Sequence, residues 1–334
     1  MPRRRPSAVA LARAALLAAL PWAWFPLRDW LGLVGDVLAI VLPVLVGLVA
    51  AATLVVGRRR GVLPAVSALL AGTIAVLAPW TPADAGPVAA GAGVSVASAN
   101  VSGQATAVPA LLEAAPDVLV VVENNGYLDE DFAAAYPHSE FTWGDATLGV
   151  YSRFPLRLLE EPGPELPGMV VAVDAPTPFV LYALHVPRPW WTARGAYQAT
   201  LAEHHELVET VAARAAREPG PVVVAGDLNS TDRGRGYRLL LDDAGLTDAV
   251  RDGWTGPTSV TTWRAFLLRI DHLLVGPGWC GDAARRFALP GSDHDAITAT
   301  IGPCAAPPAA GAAGQDRPPP PASATGRRAG MVEG

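Results

Sequence analysis

The chain has 334 residues with 31 acidic and 25 basic side chains, a formal net charge of −6, and every basic residue is arginine. Its two cysteines, with no CxxC or Cys/His cluster, exclude a structural zinc ribbon and a disulfide-dense scaffold. From Gly91 to Gly302, 26 acidic residues stand against 14 arginines. This region therefore has no long-range field steering it toward nucleic acid or anionic lipid, although a bound metal inverts a local field.

The first 80 residues are apolar and read as a transmembrane region. Three runs, approximately 7–25, 32–56 and 62–80, approach the roughly 20 residues that a spanning helix needs. The second and third qualify well. The first, interrupted by Arg13 and Pro21, also resembles the apolar part of a signal peptide. Arg3–Arg5 and Arg58–Arg60 would both face the cytoplasm if all three runs cross. That puts the N-terminus inside and everything after Trp80 outside, in a multi-pass protein of the cell membrane. Trp22, Trp24, Trp30 and Trp80 fall near the span ends, where indole rings favour the interface, and Asp36 reads as interfacial. Residues 81–93 are Pro-, Ala- and Gly-rich and read as a linker.

The following region alternates short strands with helices. Val94–Val101 reads as a strand, Val108–Ala115 as a helix, and Val118–Val122 as a buried strand ending at Glu123. Leu148–Ser152 is a strand, and Met169–Val173 with Phe179–Leu184 a hairpin followed directly by His185. Arg194–Arg217 and Tyr237–Asp243 have helical spacing, and His204 and His205 read as surface residues of the first. Phe266–Val275 reads as a strand carrying Asp271, Phe287–Leu289 as a pairing segment, and Ala296–Ile301 as the last strand. From residue 303 the Ala/Pro/Gly-rich tail reads as disordered. Cys280 and Cys304 read equally well as a disulfide of an exported domain or as two separate thiols.

Pro221–Ser230 reads PVVVAGDLNS: a β-branched run, then Gly226, then Asp227 and Asn229 two apart. In extended backbone both side chains would leave the strand on one side. The alternative is an Asx turn in which they satisfy their own backbone. Other polar groups also stand at strand ends: Asn100, Glu123, His185, and the loop pair Asp293–His294. Asp271, inside an apolar strand, needs a partner, and His294 is the natural one.

Seven short motifs occur in order. They are Asn100 after the first strand; PDVLVVVE through Glu123; Ser152-Arg153-Phe154-Pro155; YALH through His185; Gly226-Asp227-Leu228-Asn229; Arg269-Ile270-Asp271; and Ser292-Asp293-His294. In this the chain resembles the endonuclease/exonuclease/phosphatase superfamily. The resemblance covers 94–302 and departs at Val122, where the family usually has Gln before its Glu. It implies an α/β, deoxyribonuclease-I-like four-layer sandwich, two packed mixed β-sheets flanked by helices. It also implies a divalent-metal phosphoesterase, with Mg²⁺ as the expected ion and Mn²⁺ as the alternative. On this reading Glu123 and Asn100 are hard oxygen ligands, and Asp293 ligates metal or positions His294. His294 is the general base on water, held by Asp271. Asn229 and His185 contact phosphoryl oxygens, and Asp227 orients the nucleophile or assists the leaving group.

Substrate is not fixed by fold. Tethering at a bilayer favours a lipid head group, and Trp190-Trp191 would fit such a role; extracytoplasmic nucleic acid is the alternative phosphate ester. A catalytically inactive, membrane-tethered binding protein is the reading from another class, opposed by the retention of every expected ligand and base. No protein partner can be inferred.

Overall fold

The computed structural model describes residues 8–56, 62–82, 85–144, 147–189, 197–253, 256–260 and 264–306. Arg3–Arg5, Arg58–Arg60, Trp190-Trp191 and the tail from 307 onward lie outside the described residues.

The N-terminal region contains α1 (Ala8–Ala19), the one-turn α2 (Trp24–Leu27), α3 (Gly32–Val56) and α4 (Val62–Leu77). Among the described residues, two helices are long and apolar enough to cross a membrane, at Gly32–Val55 and Val62–Trp80. The first predicted run is not one continuous helix. A 3₁₀ turn over Leu20–Ala23 separates α1 from α2, with Pro21 near its start, where the missing N–H disturbs the ladder. Helices α3 and α4 cross closely: a Cβ on Gly72 would collide with Val46.

The remaining elements are β1 (Val94–Asn100), α5 (Val108–Ala114), β2 (Val118–Val122), α6 (Asp129–Ala135), β3 (His138–Thr142), β4 (Leu148–Ser152), β5 (Leu156–Glu160), β6 (Gly168–Val173), β7 (Phe179–His185), α7 (Leu201–Ala215), β8 (Val222–Asp227), α8 (Arg235–Asp242), β9 (Thr247–Asp248), β10 (Asp271–Val275), β11 (Trp279–Ala288) and β12 (Asp295–Pro303). They form two six-stranded mixed sheets, ordered β11-β12-β1-β2-β4-β3 and β5-β6-β7-β8-β10-β9.

Strand alternation builds the layers. Val118, Val120 and Val122 face the core between the sheets, while Leu119 and Val121 pack beneath α5 and α6. Val223 and Ala225 enter the same central core, and Val222 and Val224 face α7 and α8. Each sheet is centred on a parallel pair, β1 with β2 and β7 with β8. The C-terminal ends of these pairs bring the polar residues to one edge of the sandwich.

Several sequence expectations need correction. The helix predicted over 194–217 begins at Leu201, fixed by a capping box of Thr200 and Glu203. The strand predicted from Phe266 begins only at Asp271; a 3₁₀ turn occupies Arg264–Phe266 and Leu267 is left-handed (φ 49°). Strands β3 and β5 and helix α6 were not anticipated, being short and polar on one face. Strand β11 runs from Trp279, well before the expected Phe287. Pro303 closes β12, and the adjacent Cys304 is disulfide-bonded to Cys280, so ordered structure continues past the predicted start of the tail. The linker is also engaged: Val88 bridges Cys304, and Ala89 N–H donates to the Pro303 carbonyl at 2.8 Å.

Candidate active site

Register places the site. Asn100 ends β1 opposite Val122, so Glu123 emerges beside it; His185 ends β7 opposite Asp227; Asp227 pairs with Asp271 at the start of β10. His294 immediately precedes β12. Glu123 and Asn229 leave their strands in the left-handed region, at φ 55° and 47°, which turns each away from the extended path.

Asp271 Oδ2 lies 2.8 Å from His294 Nδ1. His294 Nε2 is 3.8 Å from Asp227 Oδ2. All three side chains are buried. Burial alone would lower the His294 pKa, but the charge and hydrogen bond of Asp271, followed by the charge of Asp227, raise it to about 10. Asp227 is raised to about 7, first by burial and then by the Asp271 charge. The imidazole therefore stores a proton between two carboxylates, one of which gives up its charge readily.

The second half of the site adjoins Asp227. Asn100 Nδ2 donates to Glu123 Oε1 and to Asp227 Oδ2, each at 3.0 Å. Its Oδ1 accepts from Ser102 N–H at 2.9 Å. The amide thus turns its amino group, and not its oxygen, toward the converging carboxylates. His185 Nε2 is 3.7 Å from Glu123 Oε1, and its ring lies 4.5 Å from that of Tyr197. Burial, followed by the charges of His294 and Arg188, pushes His185 down to about 3, so its imidazole is neutral. The Glu123 carboxylate retains 40% exposure and is the open end of the site.

The structure brings Asn100, Glu123, His185, Asp227, Asp271 and His294 into one chain of contacts. Asn229 follows the Asx-turn alternative: its N–H donates to Asp227 Oδ1 and its Nδ2 to the Val186 carbonyl, both at 2.9 Å. It braces Asp227 and the β7 exit. Asp293 accepts the Ser102 hydroxyl and faces the turn that holds Asn100.

Sequence reasoning missed the residues that hold this arrangement in place. Ser292 Oγ donates to the Asn100 carbonyl at 2.7 Å and accepts from His294 N–H at 3.0 Å, joining β1 to the histidine. Thr258 Oγ1 accepts the N–H groups of Ile270 and Asp271 at 3.0 and 3.1 Å. The sequence signals were Ser292 within Ser-Asp-His and Arg269 within Arg-Ile-Asp. Fully buried Arg269 pairs with Asp248 at 2.7 Å, and His272 Nε2 donates to the Ser230 carbonyl at 2.8 Å beneath the Asp227 loop. Burial would raise Asp248, but the Arg269 guanidinium outweighs it and holds the carboxyl below its ordinary value. His204, expected on the surface, is buried. Its Nδ1 lies 2.9 Å from the Pro187 carbonyl, and burial pushes it down to about 4.

The donor chemistry fits a divalent cation at the open end. Glu123 and Asp227 are hard oxygen donors that converge on one Asn100 amino group, a place where positive charge is favoured. Asp227, Asp271 and His294 also offer ligand atoms within 4.8 Å of one another, a second group able to hold a cation.

Two packed mixed sheets thus gather carboxylates and histidines at one shared edge. A sequence model of the endonuclease/exonuclease/phosphatase family matches residues 97–294, and the chain belongs to that family. The protein is a hydrolase acting on phosphate ester bonds. Among solved structures, an endonuclease/exonuclease/phosphatase from Beutenbergia cavernae is similar at 21% identity and a TM-score of 0.48, covering 64% of this chain and 72% of that one. Sphingomyelinase C from Streptomyces griseocarneus is similar at 16% identity and a TM-score of 0.41, covering 62% and 99%. A mannosyl-6-phosphatase from Bacteroides thetaiotaomicron is similar at 14% identity and a TM-score of 0.42, covering 62% and 99%. No curated protein matches the chain.

Proposed function

We propose that the protein is a membrane-anchored phosphodiesterase that needs a divalent cation, Mg²⁺ or Mn²⁺, and uses His294 as general base. The observation that carries this reading is the Asp271–His294–Asp227 array, with 2.8 and 3.8 Å spacings, beside the open Glu123–Asn100 pair. Glu123 and Asp227 would hold the cation. When bound, the cation polarises a phosphoryl oxygen, neutralises developing negative charge and lowers the proton affinity of His294.

Asp271 fixes the imidazole with Nδ1 toward itself, leaving Nε2 to take a proton from water. The Asp227 carboxylate, 3.8 Å from His294 Nε2, would steady the imidazolium once His294 has taken the proton. Neutral His185 offers a hydrogen bond that an anionic phosphoryl group accepts. Asn100 and Ser292 hold Glu123 and His294 in mutual register. Anchoring through α3 and α4 with the catalytic domain outside the cytoplasm agrees with the Cys280–Cys304 disulfide, a bond suited to an oxidising compartment.

The test is hydrolysis of bis(p-nitrophenyl) phosphate by the full chain in phosphatidylcholine nanodiscs, with Mg²⁺, Mn²⁺ or EDTA. Turnover should require the metal and disappear in Glu123→Ala and His294→Ala. Turnover that persists in EDTA or in either variant defeats the mechanism.

A further inference from the structure

Helix α3 does not leave the catalytic domain free. Pro43 lies inside α3 and has no N–H to give the carbonyl four residues back, that of Ala39. Arg233 fills the gap: its Nε donates to the Ala39 carbonyl at 3.2 Å. One turn away, the Asp36 carboxylate accepts from the backbone N–H and the guanidinium of Arg235, both at 3.1 Å. Just before the helix, Asp29 pairs with Arg238. The helix and its approach thus seat on one short segment, from Arg233 to Arg238.

That segment follows Asp227 through a short loop, and Arg233 ties the loop to the strand that carries Asp271. Asp227 and Asp271 are opposite each other in the β8–β10 register. Beyond this pair the two chains keep hold of one another. Leu228 N–H donates to the Ile270 carbonyl at 3.0 Å, and Asp232 N–H to that of Arg269 at 3.3 Å. The Arg233 guanidinium then donates through Nη1 and Nη2 to the Leu267 and Phe266 carbonyls, at 3.1 and 3.0 Å. Asn229 and Leu267 are both left-handed, at φ 47° and 49°, so a regular ladder cannot set the spacing here and these donors must. Arg233 is 1% exposed, and its buried N–H groups need their partners. A guanidinium is a rigid planar fork. Where Nε meets α3 therefore decides where the two Nη groups hold the segment leading to Asp271.

We propose that Arg233 is a positioning residue through which the seating of α3 sets the spacing between Asp227 and the Asp271–His294 pair, making this membrane-region helix part of the catalytic apparatus. This role rests on the phosphodiesterase reading and extends it to the N-terminal helices. The effect falls on turnover more than on substrate affinity, because Glu123 and Asn100 stand on the other sheet, at the ends of β2 and β1. Misplacing a catalytic group by about 1 Å costs roughly 100-fold in rate.

The test uses the full chain in phosphatidylcholine nanodiscs, with bis(p-nitrophenyl) phosphate and saturating Mg²⁺. Asp36→Arg breaks the seat by charge and Ala39→Trp by bulk, both from the α3 side and away from the reacting groups. Each should lower kcat about 100-fold while KM changes by less than about twofold. The swap Asp36→Arg with Arg235→Asp should recover most of the lost kcat. Arg233→Met should lower kcat as far as Ala39→Trp does, and combining the two should cost nothing more, because both cut the same link. Unchanged kcat in both α3 variants, a loss confined to KM, or losses that multiply in the combined variant overturn the proposal. The α3 variants and the swap decide the matter even if Arg233→Met does not fold. Amide exchange gives a readout independent of turnover. The N–H groups of Leu228, Asn229 and Asp271 should exchange faster in both α3 variants and regain protection in the swap; unchanged exchange in both overturns the proposal. A wild type without Mg²⁺-dependent turnover counts against the phosphodiesterase reading, and the exchange rates then decide whether α3 positions these residues.

Discussion

Replacing Asp271 with Asn removes the charge that organises the general base while preserving shape. Asp271 is fully buried, its Oδ2 contacts His294 Nδ1 at 2.8 Å, and its backbone N–H is held by Thr258. With both carboxylates present, His294 holds its proton up to about 10, against an ordinary value of 6.5. At about 1.4 kcal/mol per pKa unit this gap is worth about 5 kcal/mol, with Asp271 the largest favourable contributor. The sign follows: a raised histidine stabilises the fold fully below its unfolded pKa, and that support is lost as pH rises toward 10. Asp271→Asn should therefore bring the His294 titration back toward the ordinary range, read by NMR of labelled histidine without added metal. It should also lower kcat on bis(p-nitrophenyl) phosphate by about three orders of magnitude, since an amide neither selects the tautomer nor supports the cation. A His294 still titrating near 10 in the variant, or a loss of kcat smaller than about tenfold, would refute this account of the base.

Reducing the Cys280–Cys304 disulfide, or replacing both residues with Ser, frees a loop with a sequence separation of 24 and should cost about 3.5 kcal/mol, measured by guanidinium unfolding followed by circular dichroism. His204 and His272 are both pushed down to about 4 by burial, so their contribution is present above 6.5 and lost as pH falls toward 4, about 3 kcal/mol for each. Melting temperature against pH should drop across that window, and His272→Gln should flatten the drop; an unchanged slope would contradict it. Asp36→Arg and Arg235→Asp should each loosen α3 from the catalytic domain, raising amide exchange in 229–238 and 264–270, and the double swap should restore protection. Equal exchange in all four proteins would show that the docking is not held by this pair.

Much of the layer structure was legible because it depends on local alternation. The valines of β2 and β8 announce strands buried on both faces, and the polar residues following them announce a functional edge. Single residues were harder. Asp271 was correctly paired with His294 from the cost of burying a lone carboxylate. His204 was misread because helical spacing does not reveal that the segment beyond β7 covers its face. Asn229 was misdirected because extended geometry was assumed where the backbone is left-handed.

By itself, then, the sequence determined the buried strands β1, β2, β4, β6, β7, β8 and β12, the apolar N-terminal runs and the set of polar residues that end the strands, since each follows from nearest-neighbour preferences and side-chain period. Tertiary structure alone decided which of them meet. Asp227, Asp271 and His294 come from three parts of the chain and converge only through sheet register. It also decided which way the Asn100 amide faces, because a backbone N–H two residues away captures its oxygen. The pairing of Arg233 with the carbonyl freed by Pro43 lies beyond any local rule. It joins residues 194 positions apart, through one unsatisfied acceptor and one buried donor that only the packed fold brings into reach.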